Sequence, residues 1–460
     1  MKGSTAKWSV LGIVTALTVT ACAQGSGGGG ADATFDKDAE IGAGEVSIMG
    51  FSSGDEIAST RFDLAKAAVA PATVKNSEGE LDMQAFLSAN AAGNAPDIVY
   101  LKRDQIGDLA NLGAIMPLTQ CVAGEEIAID DFEQAALGQV TFDDTVYGIP
   151  EFNQVQLTMA NTDLLAAAGL TTDDVNGSDW SRIEAAATAM NVVDGTTLQT
   201  IGYDPKIPEF FPLWVKSAGG DLISEDGRTA QIDTPESLAA LELGVGILEN
   251  EGGWGKVKAL RDSADFFGKG NQFATGELGA MNMEQWYVNV LNDVTPEIPL
   301  AVVPFVSQET GDPISMATGS AWAVPSKSGN PEAACRFIKV MTETDSWYAA
   351  AKARFDARTA EGKPFTGLLT GNDVADDRIR EDFVKPSGDA KWDAAVEATY
   401  EANDHLFYSP ANPADVAFKK AWQGAVNRAI GGEQEPAAAL AQAQKEAQEA
   451  LDAAWAKREG

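Results

Sequence analysis

Two alternating periodicities run through this chain from residue 46 onward and limit it to a layered α/β fold. Val46-Ser47-Ile48-Met49 alternates apolar with polar and stops at Gly50, as a short strand does. A polar loop holding Ser52, Ser53, Asp55 and Glu56 follows, then an Ala/Leu-rich helical pattern over residues 57–69. A second helical pattern, 81–92, is halted by Gly93-Asn94 and Pro96. Asp97-Ile98-Val99-Tyr100-Leu101 reads as a short buried strand, and Ile106, Leu109 and Leu112 recur at helical spacing as far as Gly113. Strands and helices alternating at these lengths predict parallel α/β layers, with ligand bound beyond the carboxyl ends of the strands. The loops 51–56 and 102–105 sit at such ends.

The same texture continues. Val146-Tyr147-Gly148-Ile149-Pro150 leads into a strand-like 155–159; residues 161–170 and 180–190 are helical, the latter capped by Ser178 or Asp179. A long helix is expected over 234–250 behind Thr-Pro-Glu, another over 266–275 closed by Gly276, then a strand at 278–281 with Trp286 after it. Residues 298–303 and 321–324 read as strands. Pro331 opens a helical final third, which ends at 437–455 with Leu440, Ala447, Leu451 and Trp455 on one face. There is no internal repeat and no interior linker, so two lobes built from non-contiguous segments are expected: 46–149 with 305–350, and 150–304 with 351–460.

The first residues read as an export leader. Lys2 and Lys7 precede an apolar run, 8–19, too short to span a bilayer, and Val19-Thr20-Ala21-Cys22 puts small residues before a cysteine. This has the form of a bacterial lipoprotein signal peptide, 1–21, with cleavage before Cys22 and acyl chains such as palmitate added at that residue. The alternative is an ordinary secretory signal with an incidental cysteine. Residues 22–45 include Gly-Ser-Gly-Gly-Gly-Gly and cannot fill a core; they read as a flexible tether. The expected location is the extracellular face of the cell membrane. About 415 residues remain, too many for one ordinary core.

Charge and cysteine usage exclude several classes. Sixty-eight acids against thirty-three bases give a net charge of −35, which repels phosphate backbones and argues against a nucleic-acid partner. One histidine and no cysteine pair at ligand spacing leave no zinc site. Asp174-Val175-Asn176 lacks the glycine and closing glutamate of an EF-hand loop. No metal or cofactor is expected. Cys121 and Cys335 are the only cysteines left for a bridge, which an exported location permits, but they make no disulfide scaffold.

Five segments in order resemble the extracellular solute-binding proteins of ABC importers, specifically the carbohydrate group that includes maltose-binding protein. They are Ala92-Gly93-Asn94-Ala95-Pro96-Asp97-Ile98-Val99-Tyr100 with Leu109 to Leu118; Tyr147-Gly148-Ile149-Pro150 with Ala160 to Leu165; Phe273 to Met281 with Trp286; Thr318 to Pro325; and Asn330-Pro331-Glu332-Ala333-Ala334. Thr162 stands where lysine is usual, and Ser320 where an aromatic sometimes sits. The resemblance implies two α/β lobes with a ligand cleft between them, a helical C-terminal part, crossings near 147–153 and 302–306, and a monomer. It further implies a carbohydrate ligand, an oligosaccharide, delivered to membrane permease subunits with no chemistry on it.

A saccharide offers hydroxyls at its edge and C–H groups on its faces, so its site needs carboxylates and amides around aromatic rings. Asp104 follows a strand, and the resemblance puts a sugar-binding acid there; a helix cap or first-turn acid is the equal alternative. Trp286 matches the stacking tryptophan. Asn153, Gln154, Glu209, Phe210, Trp254, Gly319, Ser320 and Trp422 resemble other ligand-lining positions, and the first loop adds Ser52, Ser53 and Glu56. For Trp254, Trp322 and Trp422 taken singly, packing is a tryptophan's commoner fate.

Two rivals belong to other classes. Gly50-Phe51-Ser52-Ser53-Gly54 satisfies the G-x-S-x-G elbow of α/β-hydrolases, with His405 the sole candidate base, but no HGGG-type segment precedes it. A receptor for a peptide, polyamine or iron is the nearer rival; the seven tyrosines form no Tyr-Tyr pair of the kind ferric sites favour.

Overall fold

The computed structural model describes residues 35–459; Cys22 and the leader lie outside them. Ten strands build two five-stranded sheets. In chain order they are β1 (Glu45–Met49), β2 (Thr73–Ser77), β3 (Ile98–Lys102), β4 (Ile149–Gln154), β5 (Gln156–Asn161), β6 (Val192–Asp194), β7 (Thr197–Asp204), β8 (Leu278–Glu284), β9 (Leu300–Pro304) and β10 (Thr318–Ala323). The first sheet has the order β2-β1-β3-β10-β4, the second β9-β5-β8-β7-β6.

The expected parallel layers are only partly there. β1 pairs in parallel with β2 and β3, and β7 with β8. β10 runs antiparallel to both β3 and β4, and β5 antiparallel to β8 and β9. The reason is connectivity: β5 and β10 are the strands on which the chain arrives from the other sheet, so they enter against the local strand direction. The first passage is abrupt. β4 ends at Gln154 in one sheet and β5 begins at Gln156 in the other, leaving Val155 between them. The second runs over residues 305–317, where Ser315–Met316 pairs with Leu406–Phe407.

Alternation dictates these strands. In β1, Val46 and Ile48 face a core that also holds Phe51, Phe62, Trp322 and Phe337, while every second residue looks outward. β5 is buried at all six positions, as a strand covered on both faces must be. Trp322 is fully buried, and its indole N–H donates to Glu151, which also pairs with the buried Arg61 at 2.9 Å. Arg61 lies 3.5 Å from the Trp347 ring centroid, linking β4 to the helix Thr344–Ala360. That helix and Asp373–Phe383 share a core with Ile57 of the helix Glu56–Ala68, on the first sheet's side. Ala390–Asn403 packs on β9, and Asp415–Ile430 with Pro436–Glu459 packs around Pro235–Asn250, on the second sheet's side.

Cys121 and Cys335 are bonded, with their Cα atoms 5.8 Å apart across 214 residues. Among the described residues no helix is long and apolar enough to cross a membrane.

One expected helix is mostly absent. Residues 266–275 shrink to Gln272–Thr275, capped by the Asn271 side chain. Residues 265–270 form a turn instead, closed by Gly268 N–H on the Asp265 carbonyl at 2.9 Å. Gly268 and Gly270 are poor helix formers, and unwinding there frees Phe266 and Phe267 to meet Trp286.

Candidate functional site

A cavity of about 730 Å³ lies between the two sheets, within the size range of small-molecule sites. From the first sheet come the end of β3 and the turn after it (Lys102, Arg103, Asp104) and β10 (Thr318, Gly319, Ser320); from the second, Glu284, Trp286, Lys206, Glu209 and Phe210. The helix Asp415–Ile430 closes a side with Lys419 and Trp422. A smaller cavity of about 270 Å³, lined by Asn153, Gln285, Asn289, Arg354 and Thr366 among others, shares Gln154, Trp286, Gly319 and Ser320 with the first.

Trp286 opens the helix Trp286–Val294 directly after β8. Its neighbour Gln285 anchors it to the passage between sheets. The Gln285 side chain accepts from Val155 N–H (2.9 Å) and donates to the Asn153 carbonyl (3.0 Å), while its backbone N–H donates to the Val155 carbonyl (2.9 Å). Phe267 stacks on Trp286 with centroids 6.1 Å apart, and Phe266 meets it edge-on at 6.2 Å. Trp286 is half-buried, with Glu284 beneath its indole N–H. Burial pushes the Glu284 carboxyl above its ordinary range, against the hydrogen bonds from Trp286 and Thr318.

Asp104 makes no cap in the short turn Arg103–Gln105 or in the helix Ile106–Asn111. It pairs with Lys419 at 2.6 Å, both side chains remaining about 40% exposed. Glu209 pairs with Arg261 at 2.8 Å. Asp415 accepts from the backbone N–H of Gly107 and of Asn412, each at 2.9 Å, and burial holds its carboxyl well above the usual range.

Arg103 is 1% exposed. Its Nη2 donates to the carbonyls of Phe152 and Thr318 and to Asn153 Oδ1, while Nε and Nη1 have no partner among the described residues. Burial lowers its pKa to about 10. Gly319 lies against it: a Cβ there would collide with the guanidinium and the Phe152 carbonyl.

Of the residues singled out from sequence, Asp104, Gln154, Glu209, Phe210, Trp286, Gly319, Ser320 and Trp422 line the larger cavity, and Asn153 the smaller. Trp422 is largely buried and tilts against Phe211 at 6.0 Å, so packing takes most of it. Four are placed elsewhere. Ser53 donates its hydroxyl to Glu78 at 2.6 Å, and Ser52 accepts from Gly79 N–H at 3.2 Å. Glu56 pairs with Arg354. Trp254 begins the helix Trp254–Ser263 beneath Arg261, 5.4 Å from its ring. For the two serines the loop after β1 turns toward the β2 edge, where Glu78 and Gly79 take their polar groups, whereas Glu56 is drawn to the helix Thr344–Ala360.

Sequence reading missed Lys206, Phe266, Glu284, Gln285 and Lys419. Glu284 and Gln285 could have been found as neighbours of Trp286. Nothing local marks Lys206, held at φ +48°, or Lys419, which reaches the cavity from more than 300 residues beyond Asp104.

The bacterial extracellular solute-binding protein family matches residues 65–360. The chain belongs to this family. A maltooligosaccharide ABC transporter solute-binding lipoprotein of Streptococcus pneumoniae (strain ATCC BAA-255 / R6) is 22% identical over 359 residues, 73% of this chain and 76% of that one. This solute-binding protein is also similar in fold to CpMnBP1 with mannotriose bound (TM-score 0.71, 21% identity, 88% of this chain and 99% of that one). The ABC substrate-binding protein of Listeria monocytogenes in complex with cycloalternan is comparably similar (TM-score 0.70, 18% identity, 89% and 100%). Such proteins bind and do not catalyse. Ser52 Oγ faces Gly79, and no hydrogen bond joins it to the exposed His405 among the described residues.

Proposed function

We propose that this solute-binding protein is a monomeric, lipid-anchored receptor that captures an oligosaccharide outside the cell and hands it to the permease of an ABC importer. The observation that carries this is the half-buried Trp286 in a cavity edged by Asp104, Gln154 and Glu284, drawn from both sheets. An indole face suits the C–H surface of a pyranose, and carboxylates and amides suit its hydroxyls. The relatives' named ligands, maltooligosaccharide, mannotriose and cycloalternan, are all saccharides.

In this reading the lobes follow the packing above, residues 45–154 with 318–383 against 156–304 with 390–459. They close about Val155 and residues 305–317, and ligand shifts the open–closed balance by binding the closed form more tightly. Cys22 carries the lipid, and the closed lobes dock on the permease. A thermal-shift screen against mono- and oligosaccharides tests the proposal: a true ligand raises the melting temperature and is recovered uncleaved. Stabilisation by peptides or polyamines, with none by any saccharide, would overturn it.

A further inference from the structure

The helices Ile106–Asn111 and Asp415–Ile430 both begin without a side-chain cap from their own N-cap residue. The first N–H groups of a helix have no partner inside it and need one from outside. Each of these helices takes one from the other. Asp415 accepts from Gly107 N–H at 2.9 Å, and Asp108 accepts from Val416 N–H at 2.6 Å. In both pairs an acid in one helix's first turn meets the second N–H of the other helix, 308 residues away along the chain.

Two further contacts flank this exchange. The Asn111 side chain donates to the Pro413 carbonyl at 3.3 Å, and Lys419 pairs with Asp104. The approach is close because position 107 is glycine. A Cβ there would stand 2.2 Å from the Asn412 carbonyl oxygen and 2.6 Å from an Asp415 carboxylate oxygen. The helix Ile106–Asn111 follows β3 of the first sheet, whereas Asp415–Ile430 packs on the second sheet's side. Asn412, Asp415 and Lys419 line the larger cavity, so the exchange forms beside its wall, while Gly107 and Asp108 line neither cavity.

We infer that this reciprocal capping is a clasp between the two lobes: it favours the closed cleft before any ligand arrives and so sets the affinity for every ligand alike. Opening the lobes uncaps both helix starts and costs each acid a charge-assisted bond, the stronger class of hydrogen bond. A receptor whose binding-competent form is more populated binds whatever fits that form with higher apparent affinity. The inference rests on the lobe division proposed above and adds to it the contact that governs closure.

Gly107→Ala and Asp108→Ala test it by separate routes. Alanine is the better helix former, so the first variant leaves its own helix sound and disturbs only the approach of Asn412 and Asp415. The second removes the acceptor of Val416 N–H. Small-angle X-ray scattering of the unliganded protein is expected to show a larger radius of gyration in both variants than in the wild type. Calorimetric titration with maltotriose and mannotriose is expected to show every saccharide that the wild type binds weakened by one common factor, about tenfold, because neither residue lines a cavity. Unchanged scattering and affinity in both variants, with a lowered melting temperature, would make the exchange static packing and overturn the inference. A loss confined to one saccharide would also overturn it, since a clasp acts on closure alone. Expanded variants of a wild type that binds no saccharide would keep the clasp and remove the saccharide reading.

Discussion

The indole N–H of Trp286 donates to Glu284 Oε2 at 2.6 Å, and the other oxygen of that carboxyl accepts from the Thr318 hydroxyl at 3.5 Å. One side chain at the end of β8 thus ties the ring of the cleft to β10 of the opposite sheet. The ring is thereby linked to both of the sheets that flank the cavity.

Replacing that ring tests the site most directly. Trp286→Ala is expected to weaken saccharide binding by about 2–4 kcal/mol, the usual cost of a central aromatic anchor. That is roughly thirty- to a thousand-fold in affinity. Because the ring is only half-buried, the melting temperature should fall less than for Trp322→Ala, which empties a fully buried site at a cost of about 3–5 kcal/mol. Titration and thermal melts on both variants separate binding from packing.

Asp104→Asn removes the charge that faces Lys419. Exposed pairs of this kind contribute only about 0–1 kcal/mol to stability, so the melt should barely move. Affinity should drop by about 1–2 kcal/mol if the carboxylate also accepts from a sugar hydroxyl. A lowered melting temperature with full affinity would assign Asp104 a structural role.

Glu251 is fully buried and accepts from Tyr203 N–H at 2.8 Å; burial pushes its carboxyl up to about 8. The folded state therefore holds this proton more tightly than the unfolded state does. Its contribution is fully present below the unfolded value near 4.5 and is lost as pH rises toward 8. Unfolding free energy should decline across that window by roughly 3 kcal/mol at pH 7. Glu251→Gln should flatten the decline, which denaturant titrations at several pH values would reveal.

The Cys121–Cys335 bond closes 214 residues of chain. Cys335→Ala is expected to cost about 2–4 kcal/mol, chiefly by freeing the unfolded chain. Urea unfolding should then become insensitive to dithiothreitol, whereas the native protein should lose stability when reduced.

Cys22→Ser should release the protein from the membrane fraction and leave ligand affinity intact, since the described residues that line the two cavities begin only at Asp55. Intact mass of material from the producing cell is the check: native mature chain without acyl chains would exclude the anchor.

Local pattern was enough for much of the fold. The helix Trp180–Met190 behind Asp179, and Pro235–Asn250 behind Thr234, stand where cap and periodicity put them. β2 escaped notice because Thr73-Val74-Lys75-Asn76-Ser77 is a half-exposed edge strand with little apolar content. The false helix at 266–271 came from reading apolar spacing across two glycines. For the cleft, motifs led to Trp286, Asp104 and Gly319, which stand beside strand ends, but not to Lys206 or Lys419.

What this sequence determined by itself was a class and a membership: layered α/β structure, an exported acidic chain, and the ordered motifs of a solute-binding protein. These are legible because strand and helix periodicities, caps and glycine-marked turns are short-range properties of the chain. Tertiary structure decided which strands run antiparallel, that Cys121 meets Cys335, that Ser52 and Glu56 turn away from the cleft, and that Lys419 answers Asp104. Those facts depend on contacts between residues hundreds of positions apart. They are set by how two sheets and their helices bury surface together, and no local window of the chain contains that information.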